Sequence, residues 1–436
     1  MRDLATSDHP GVQAQLDRLA ALTLPQGRFG LETITTLLAR LGDPHLRLPP
    51  TFHVAGTNGK GSTCAYLRAI LEAQGFTVHA ATKPHLVRYN ERIRIAGQLI
   101  SDDLLANLLA QVLDVGADLG PSFFEVTAAA TFLAFARIPA DAVVLEVGLG
   151  GRLDATNVLV HPAACGMASL GIDHEAFLLR PEAGTPADPL ARIAFEKASI
   201  ARAGAPLVTQ SYPPHAESEV TRIAAQTGAK LALRGRDWWA KSDETAIHYR
   251  DAMGELTLPL PSLVGHHQAD NAALAVAMLR HQSALSIAPE SIAKGIRAAR
   301  WPARLQLLGP GPLAALAPSR AIWLDGGHNP DAGLAIARHF AGKPPLHLII
   351  GMLANKDPAA IIVPLQGQLR SISVVPAPGH DAHTPADFAA HTPLPVHSFA
   401  TVAQALAALP AGGNVLIAGS LYLAGAVLRE NREFPD

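Results

Sequence analysis

Short β-branched apolar runs alternate with longer Ala/Leu-rich stretches along this chain. HVAG at 53–56 precedes a stretch of helical character, STCAYLRAILEAQ at 62–74. TVHAAT at 77–82 reads as a strand, and leucines recur at helical spacing over 103–115. AVVLEVG at 142–148 and AACGMASLG at 163–171 are compact buried-strand patterns. Strand–helix alternation of this kind predicts a mainly parallel sheet covered by helices on both faces.

The texture changes near 230–261. KLALRGRDWW and TAIHYRDAMGELTLPLP alternate and turn, which predicts a small antiparallel unit. Helical spacing returns at 270–280 and 287–299, and the Pro/Gly-rich WPARLQLLGPGP at 301–312 is the linker expected from composition. A second αβ series follows at 321–327, 346–352, 371–377 and 414–420. The expected fold class is α/β: a P-loop, mainly parallel sheet N-terminal domain over 1–300, plus a smaller Rossmann-like C-terminal domain over 301–436.

The length of 436 residues agrees with two or three domains, at roughly 150 residues each. Hydrophobic residues at 49% against 17% charged support a large core. Lys plus Arg total 35 against 37 Asp plus Glu, so no broad nucleic-acid surface is expected, although a small basic pocket is compatible. The cysteines Cys64 and Cys165 are too few for a disulfide framework or a Cys-based zinc site, and read as small buried residues. The polar N-terminus lacks an apolar signal core, and the uncharged run at 126–136 falls short of the roughly 20 residues a membrane helix needs. A soluble, cytoplasmic chain is expected, with neither nucleic acid nor membrane as partner.

The strongest chemical signal is FHVAGTNGKGST at 52–63. A strand runs into a glycine-rich turn, then Lys60, then the hydroxyls of Ser62 and Thr63, then a helix. Converging backbone N–H groups, a helix N-terminus and a lysine suit a phosphate. The string departs from G-x-x-x-x-G-K-[ST], because Gly61 separates Lys60 from Ser62. The second signal is VVLEVGLGGRLDATNV at 143–158, where Glu146 closes an apolar strand. A carboxylate at the C-terminal edge of a parallel strand sits where ligands bind, and Mg²⁺ combines one or two carboxylates with phosphate oxygens. A helix cap or buried ion pair is the alternative there. Asp173 and His174 are expected to end another strand, and Glu196 and Lys197 lie in an apparent helix; by themselves all read as structural. His380 and His383 read as a solvated loop, and Trp238 with Trp239 as a packing patch.

GTNGKGST followed by LEVGLGGRLDATNV resembles the folylpolyglutamate synthase/dihydrofolate synthase family of the Mur-ligase superfamily. The likeness covers nearly the whole chain. RFGLETITTLLARLG (28–42) resembles the family's N-terminal helix, KPHLVRYNERIRIAG (83–97) its loop after the second strand, and SFFEVTAAATFLAF (122–135) its next helix. LVGHHQADNAALA (263–275), LDGGHNPDAG (324–333), GMLANKD (351–357) and AGSLYLAG (418–425) complete the order. The resemblance implies an ATP-dependent ligase that adds L-glutamate to dihydropteroate and to folates through an acyl phosphate, and a monomer is expected.

It also implies site residues. Gly56, Thr57, Asn58, Gly59, Lys60, Gly61, Ser62 and Thr63 would cradle ATP, with Asn271 facing the nucleotide and Arg304 reaching the phosphates. Ser62, Glu146, His174 and Lys197 would hold Mg²⁺ at two sites, Lys197 as a carbamate. Lys60, Lys197, His174 and Arg304 would be catalytic. Asp325 and His328 match the motif that closes over ATP and glutamate, while Phe124, Asp154 and His328 would meet substrate. The chain departs from the family pattern in four places. Lys83-Pro84-His85 replaces Ser-Pro-His, adding a positive charge that either takes over part of the metal's role or turns to solvent. Ser199 replaces the glycine of EKAGI, the segment between His174 and Lys197 is longer, and Pro302-Ala303-Arg304 replaces Pro-Gly-Arg. A cell-wall peptide ligase of the same superfamily and a P-loop ATPase that is not a ligase are the rival readings.

Overall fold

The computed structural model describes residues 6–22 and 30–435. The chain divides into two compact units. The first comprises the described residues up to Pro84 with Arg88–Ser262 and Gln268–Ala299; the second comprises His85–Val87, Leu263–His267 and the chain from Arg300 onward. The helix expected at 28–42 spans Glu32–Arg40, while Arg28 and Phe29 lie outside the described residues.

Among the described residues of the first unit, strands β1 (Thr51–Ala55), β2 (Val78–Ala81), β3 (Ile93–Ile95), β4 (Gln98–Leu99), β5 (Ala142–Glu146), β6 (Ala164–Met167), β7 (Pro206–Thr209) and β8 (Lys230–Leu233) form one sheet in the order β4-β3-β2-β5-β1-β6-β7-β8. Every pairing is parallel except β2 with β3 and β3 with β4. Each residue of the central β5, β1 and β6 is buried, as expected of parallel strands covered on both faces. The expected α/β class is therefore the observed one.

Three local expectations change. KLAL at 230–233 is not antiparallel: it is β8, the outer parallel strand, and the antiparallel sheet begins at β9 (Trp238–Ser242), followed by β10 (Ala246–Asp251) and β11 (Gly254–Pro259). Lys230 is exposed at that edge, so β8 carries the half-polar pattern that also marks antiparallel strands. β6 ends at Met167, which leaves Asp173 and His174 in the loop beyond it, before the short helix Glu175–Leu178. The 301–312 stretch is not a linker. It contains β12 (Gln306–Leu307), which pairs antiparallel with β13 (Ile322–Leu324), and Ala303 and Leu305 are buried. Its prolines and glycines bracket an edge strand that is too short to show in composition.

The second unit adds β14 (Leu346–Ile350), β15 (Leu369–Val374), β16 (Val396–Ser398) and β17 (Asn414–Ala418), ordered β12-β13-β17-β14-β15-β16 and parallel from β13 onward. Its core draws in Val87, from the segment that follows β2, and the Arg429 guanidinium donates to the Val87 carbonyl at 2.6 Å. No described helix is long and apolar enough to cross a membrane.

The helix Lys60–Ala73, which begins inside the glycine-rich motif, is held from behind by the helix Pro289–Ala298. A Cβ on Gly295 would lie 2.4 Å from the Ile70 Cα, so the two backbones meet there and no side chain fits between them. Gly295→Ala is therefore expected to cost about 1–3 kcal/mol through overpacking. Urea unfolding measures this, and an unchanged midpoint would show that the helices separate freely.

Candidate functional site

β1 carries the chain into the turn Gly56–Gly59, and the helix starts at Lys60. Gly59 sits at φ +87, and a Cβ there would fall 2.3 Å from the Asn271 Oδ1, so only glycine permits both the backbone and the approach of Asn271. The turn is tied to the segment after β6. Thr57 donates its N–H to the Ser169 carbonyl at 2.7 Å, and its hydroxyl donates to the Gly171 carbonyl at 2.9 Å. The N-cap residue, Gly59, has no side chain with which to cap the helix, and leading helix amides of this kind suit an anion. Lys60 Nζ donates to the carbonyls of Gly56 at 2.9 Å and Thr57 at 3.2 Å, which holds the ammonium over the same turn.

Glu146 ends β5 directly beside β1, pairing with Val54. One of its oxygens accepts the Lys83 backbone N–H at 2.9 Å. A Cβ on Gly148 would lie 3.3 Å from Lys83 Nζ, so the ammonium of the half-buried Lys83 rests against the 148 turn. Asp154 is buried beside it. One oxygen accepts the Gly148 and Leu149 N–H groups, each at 2.9 Å, and the other accepts the Thr156 N–H at 3.0 Å and the Thr156 hydroxyl at 2.5 Å. Burial opposes ionisation of Asp154, but the Lys83 charge and these donors outweigh it and hold the carboxyl below its ordinary value. Because Thr156 gives its single hydroxyl proton to Asp154, the His53 Nε2 at 2.9 Å must be the donor. His53 is thus a neutral imidazole protonated at Nε2, consistent with burial that lowers its pKa. The sequence reading passed over His53 and Thr156. The available signal was a histidine in an otherwise apolar central strand.

Lys197 lies on the helix Pro189–Ala198 and is 5% exposed. The turn after β5 presses onto this helix: a Cβ on Gly151 would be 2.5 Å from the Glu196 carbonyl and 3.0 Å from the Lys197 Cα. Burial first, then the Lys60 charge, pull the Lys197 amine down to about 7, against the raising influence of Asp173, Asp154 and Glu196. The long segment before this helix also acquires a role. Its Glu182 pairs with Arg152 at 2.7 Å and with Arg192 at 3.0 Å, and both arginines also hold Glu196, at 3.0 and 3.1 Å. Ser199 fits in place of glycine because its hydroxyl donates to the Phe195 carbonyl at 2.7 Å.

The first unit therefore gathers the glycine-rich turn, Lys60, Glu146, Asp154, Lys197 and Asn271. Lys83 joins them by the backbone bond and the charge described above. His174 stands at the margin, with its side chain 38% exposed and Nε2 3.9 Å from an Asp173 oxygen. Phe124 is half-exposed and meets Phe123 edge-on. Cys64 and Cys165 are buried and free. His380 and His383 differ from the expected solvated loop: the first lies 3.9 Å from the Tyr422 ring, and the second contacts the Lys356 carbonyl at 2.6 Å. Trp238 is buried and Trp239 is exposed under Arg250.

Among the described residues, no three His, Cys, Asp or Glu side chains gather as a metal cage. Ser62 and Glu146 nonetheless offer hard oxygens beside the glycine-rich turn. This suits Mg²⁺, which completes its shell with phosphate oxygens and water. An ammonium at Lys197 does not fit as a ligand.

In the second unit, Arg304 sits between two non-glycine residues with left-handed backbone, Ala303 at φ +54 and Leu305 at φ +44. Ala303 occupies the position where the family pattern has glycine, and the positive φ supplies the reason for that glycine. A non-glycine residue there costs roughly 1–2 kcal/mol. Asp325 spends both oxygens on backbone, accepting the Leu305 N–H at 2.8 Å and the Gly327 N–H at 2.7 Å. His328 Nδ1 lies 3.1 Å from the Gly326 carbonyl.

The chain is 34% identical to the dihydrofolate synthase/folylpolyglutamate synthase of Escherichia coli, over 92% of this chain and 90% of that protein. The chain belongs to the folylpolyglutamate synthase/dihydrofolate synthase family. It spans about half, 50%, of the bifunctional folylpolyglutamate synthase/dihydropteroate synthase of Halobacterium salinarum, at 33% identity over 93% of this chain. The structure of E. coli FolC in complex with DHPP and ADP superposes with a TM-score of 0.85 at 32% identity, covering 96% of this chain and 97% of that one. A bifunctional family member with Mn, AMPPNP and L-glutamate bound gives a TM-score of 0.83 at 30% identity, covering 98% of this chain and 99% of that one. No family model matches the chain.

The Lys197 amine gives a stability test in metal-free buffer. The unfolded chain keeps this proton up to about pH 10, whereas the folded chain releases it near 7, so the unfolded state binds more protons between the two. Stability relative to Lys197→Met is expected to rise as pH climbs through that window. Urea unfolding at several pH values measures it, and parallel curves would place the ammonium in solvent.

Proposed function

We propose that this chain is an ATP-dependent ligase that joins L-glutamate to dihydropteroate and to folates. The observation that carries this reading is the gathering of Lys60, Glu146, Asp154 and Lys197 around the phosphate turn, in a member of this family. In the reaction, a substrate carboxylate oxygen attacks the γ-phosphorus of ATP and ADP leaves. The amine of glutamate then attacks the acyl carbon, loses a proton, and expels phosphate as the amide forms. Both steps bring anions together, so positive charge and orientation carry most of the catalysis.

The backbone amides of Gly56 to Thr63 receive the phosphates, Lys60 neutralises charge on the transferring group, and Asn271 closes over the turn. Ser62 and Glu146 would hold Mg²⁺, which when bound supplies further neutralisation of phosphate charge. Lys83 and Asp154 set the turn at Gly148 and Leu149, and Phe124 forms part of the pteroate wall. His174 would contribute its imidazole to a second Mg²⁺. Residues 1–300 act as the ATP-binding domain. Residues 301–436 act as the glutamate-ligase domain, with Arg304 on the phosphates and Asp325 and His328 in the part that receives ATP and glutamate. The compartment proposed is the cytoplasm, where ATP is supplied.

The finer reading is that Lys197 carries a carbamate. An amine with a pKa near 7 is neutral for part of the time at physiological pH, so its lone pair can attack CO₂. Loss of one proton then leaves an anionic group with two oxygens, which removes the repulsion from Lys60 and matches the oxygen preference of Mg²⁺.

The test supplies ATP, Mg²⁺ and L-glutamate with dihydropteroate and, separately, with tetrahydrofolate, beside a UDP-linked peptide as the control acceptor, and scores new amide product by mass. Product with both is expected. Product only with UDP-linked peptides would establish the cell-wall ligase, and ATP turnover indifferent to glutamate would establish the ATPase. Lys60→Ala is expected to lower ligation about 10³-fold while the fold is retained. A folded, active Lys60→Ala protein would remove the assignment.

A further inference from the structure

Arg304 is held in an unusual way. Both of its neighbours adopt left-handed backbone without being glycine, and such a turn persists only where its surroundings over-determine it. Two clamps do so. On one side, Asp325 accepts the Leu305 N–H at 2.8 Å, and the Gly326 N–H donates to the Ala303 carbonyl at 3.0 Å. On the other, Gln306 Oε1 accepts the Ala303 N–H at 2.9 Å. A glutamine amide can present either its oxygen or its nitrogen, so this second clamp works only if the amide is oriented. Glu433 orients it. Its Oε1 accepts from Gln306 Nε2 at 2.6 Å, which leaves the Gln306 oxygen facing Ala303.

Glu433 lies just beyond the helix Leu421–Glu430 and is itself fixed. Its Oε2 accepts the Gly309 N–H at 3.0 Å and Asn431 Nδ2 at 3.3 Å, and its own N–H donates to the Leu428 carbonyl at 2.9 Å. Asn431 is anchored in turn, with its Oδ1 accepting the N–H groups of Leu313 at 3.1 Å and Ala314 at 3.2 Å. We propose that Glu433, acting through the Gln306 amide, is a positioning residue that sets the Arg304 turn for phosphate transfer. The inference rests on the reading of Arg304 as a phosphate-binding arginine, and adds to it a residue far along the chain that no motif marks.

The test uses the full chain and compares five variants with the unaltered protein. Glu433→Ala is expected to lower kcat about tenfold, because a small displacement of a catalytic charge suffices for that. Amide exchange at Ala303 and Leu305 should accelerate in the same variant. Gln306→Glu alone should also lose activity, since two carboxylates would face each other. Combining Gln306→Glu with Glu433→Gln restores a donor–acceptor pair in the reverse sense and should recover turnover to within about twofold. In an Arg304→Ala background, Glu433→Ala should cause no further loss, because both act through one group. A folded double swap without recovery, or an equal loss in both backgrounds, would overturn the proposal. If Arg304→Ala turned over normally, the phosphate reading would fail. Exchange at Ala303 would then still decide whether Glu433 holds the turn: faster exchange in Glu433→Ala supports the clamp, and unchanged exchange overturns it.

Discussion

Burying the Lys197 amine within reach of the Lys60 ammonium is electrostatically unfavourable, and much of the first unit is arranged around that fact. Two like charges in a cleft of low dielectric repel strongly unless one is neutralised or surrounded by anions. Asp154, Asp173 and Glu196 supply negative charge around Lys197. Glu196 is in turn shared between Arg152 and Arg192, and Glu182 completes that network from the long segment before the helix. The network therefore balances its own charges and leaves the Lys197 amine low in pKa. This is the condition under which a lysine can change its chemistry near neutral pH.

The turn after β5 is the mechanical partner of that electrostatic arrangement. Gly151 lets it lie directly on the helix at Glu196 and Lys197, while Asp154 gathers the Gly148 and Leu149 amides. His53 reaches the same carboxylate through the Thr156 hydroxyl, so the central strand β1 supports that turn as well as the glycine-rich turn at its own end. Lys83 adds a cation where the family pattern has a hydroxyl. Its position against Gly148 couples it to Asp154, which explains how a charge is tolerated there. In the second unit the same economy takes another form: strained backbone on both sides of Arg304, where the N–H groups of Leu305 and Ala303 donate to Asp325 and Gln306.

The α/β class, the glycine-rich turn between strand and helix and the assignment of Glu146 to the end of a buried strand were all legible in the sequence. These features rest on local causes: β-branched runs, glycines that free a turn, and a lysine followed by hydroxyls at the start of a helix. The misreadings at 230–233 and 301–312 arose where local pattern was ambiguous. An outer parallel strand and an antiparallel strand share half-exposed alternation, and a short strand between proline and glycine turns resembles a linker. What only the tertiary structure decided is which charges meet. Glu182 finds Arg152, Lys83 settles beside Asp154, and Glu433 reaches Gln306 across more than a hundred positions of chain. Composition and spacing carry no trace of such pairs, because a hydrogen bond or an ion pair depends on separation in space, and separation along the chain says nothing of it until the fold has closed.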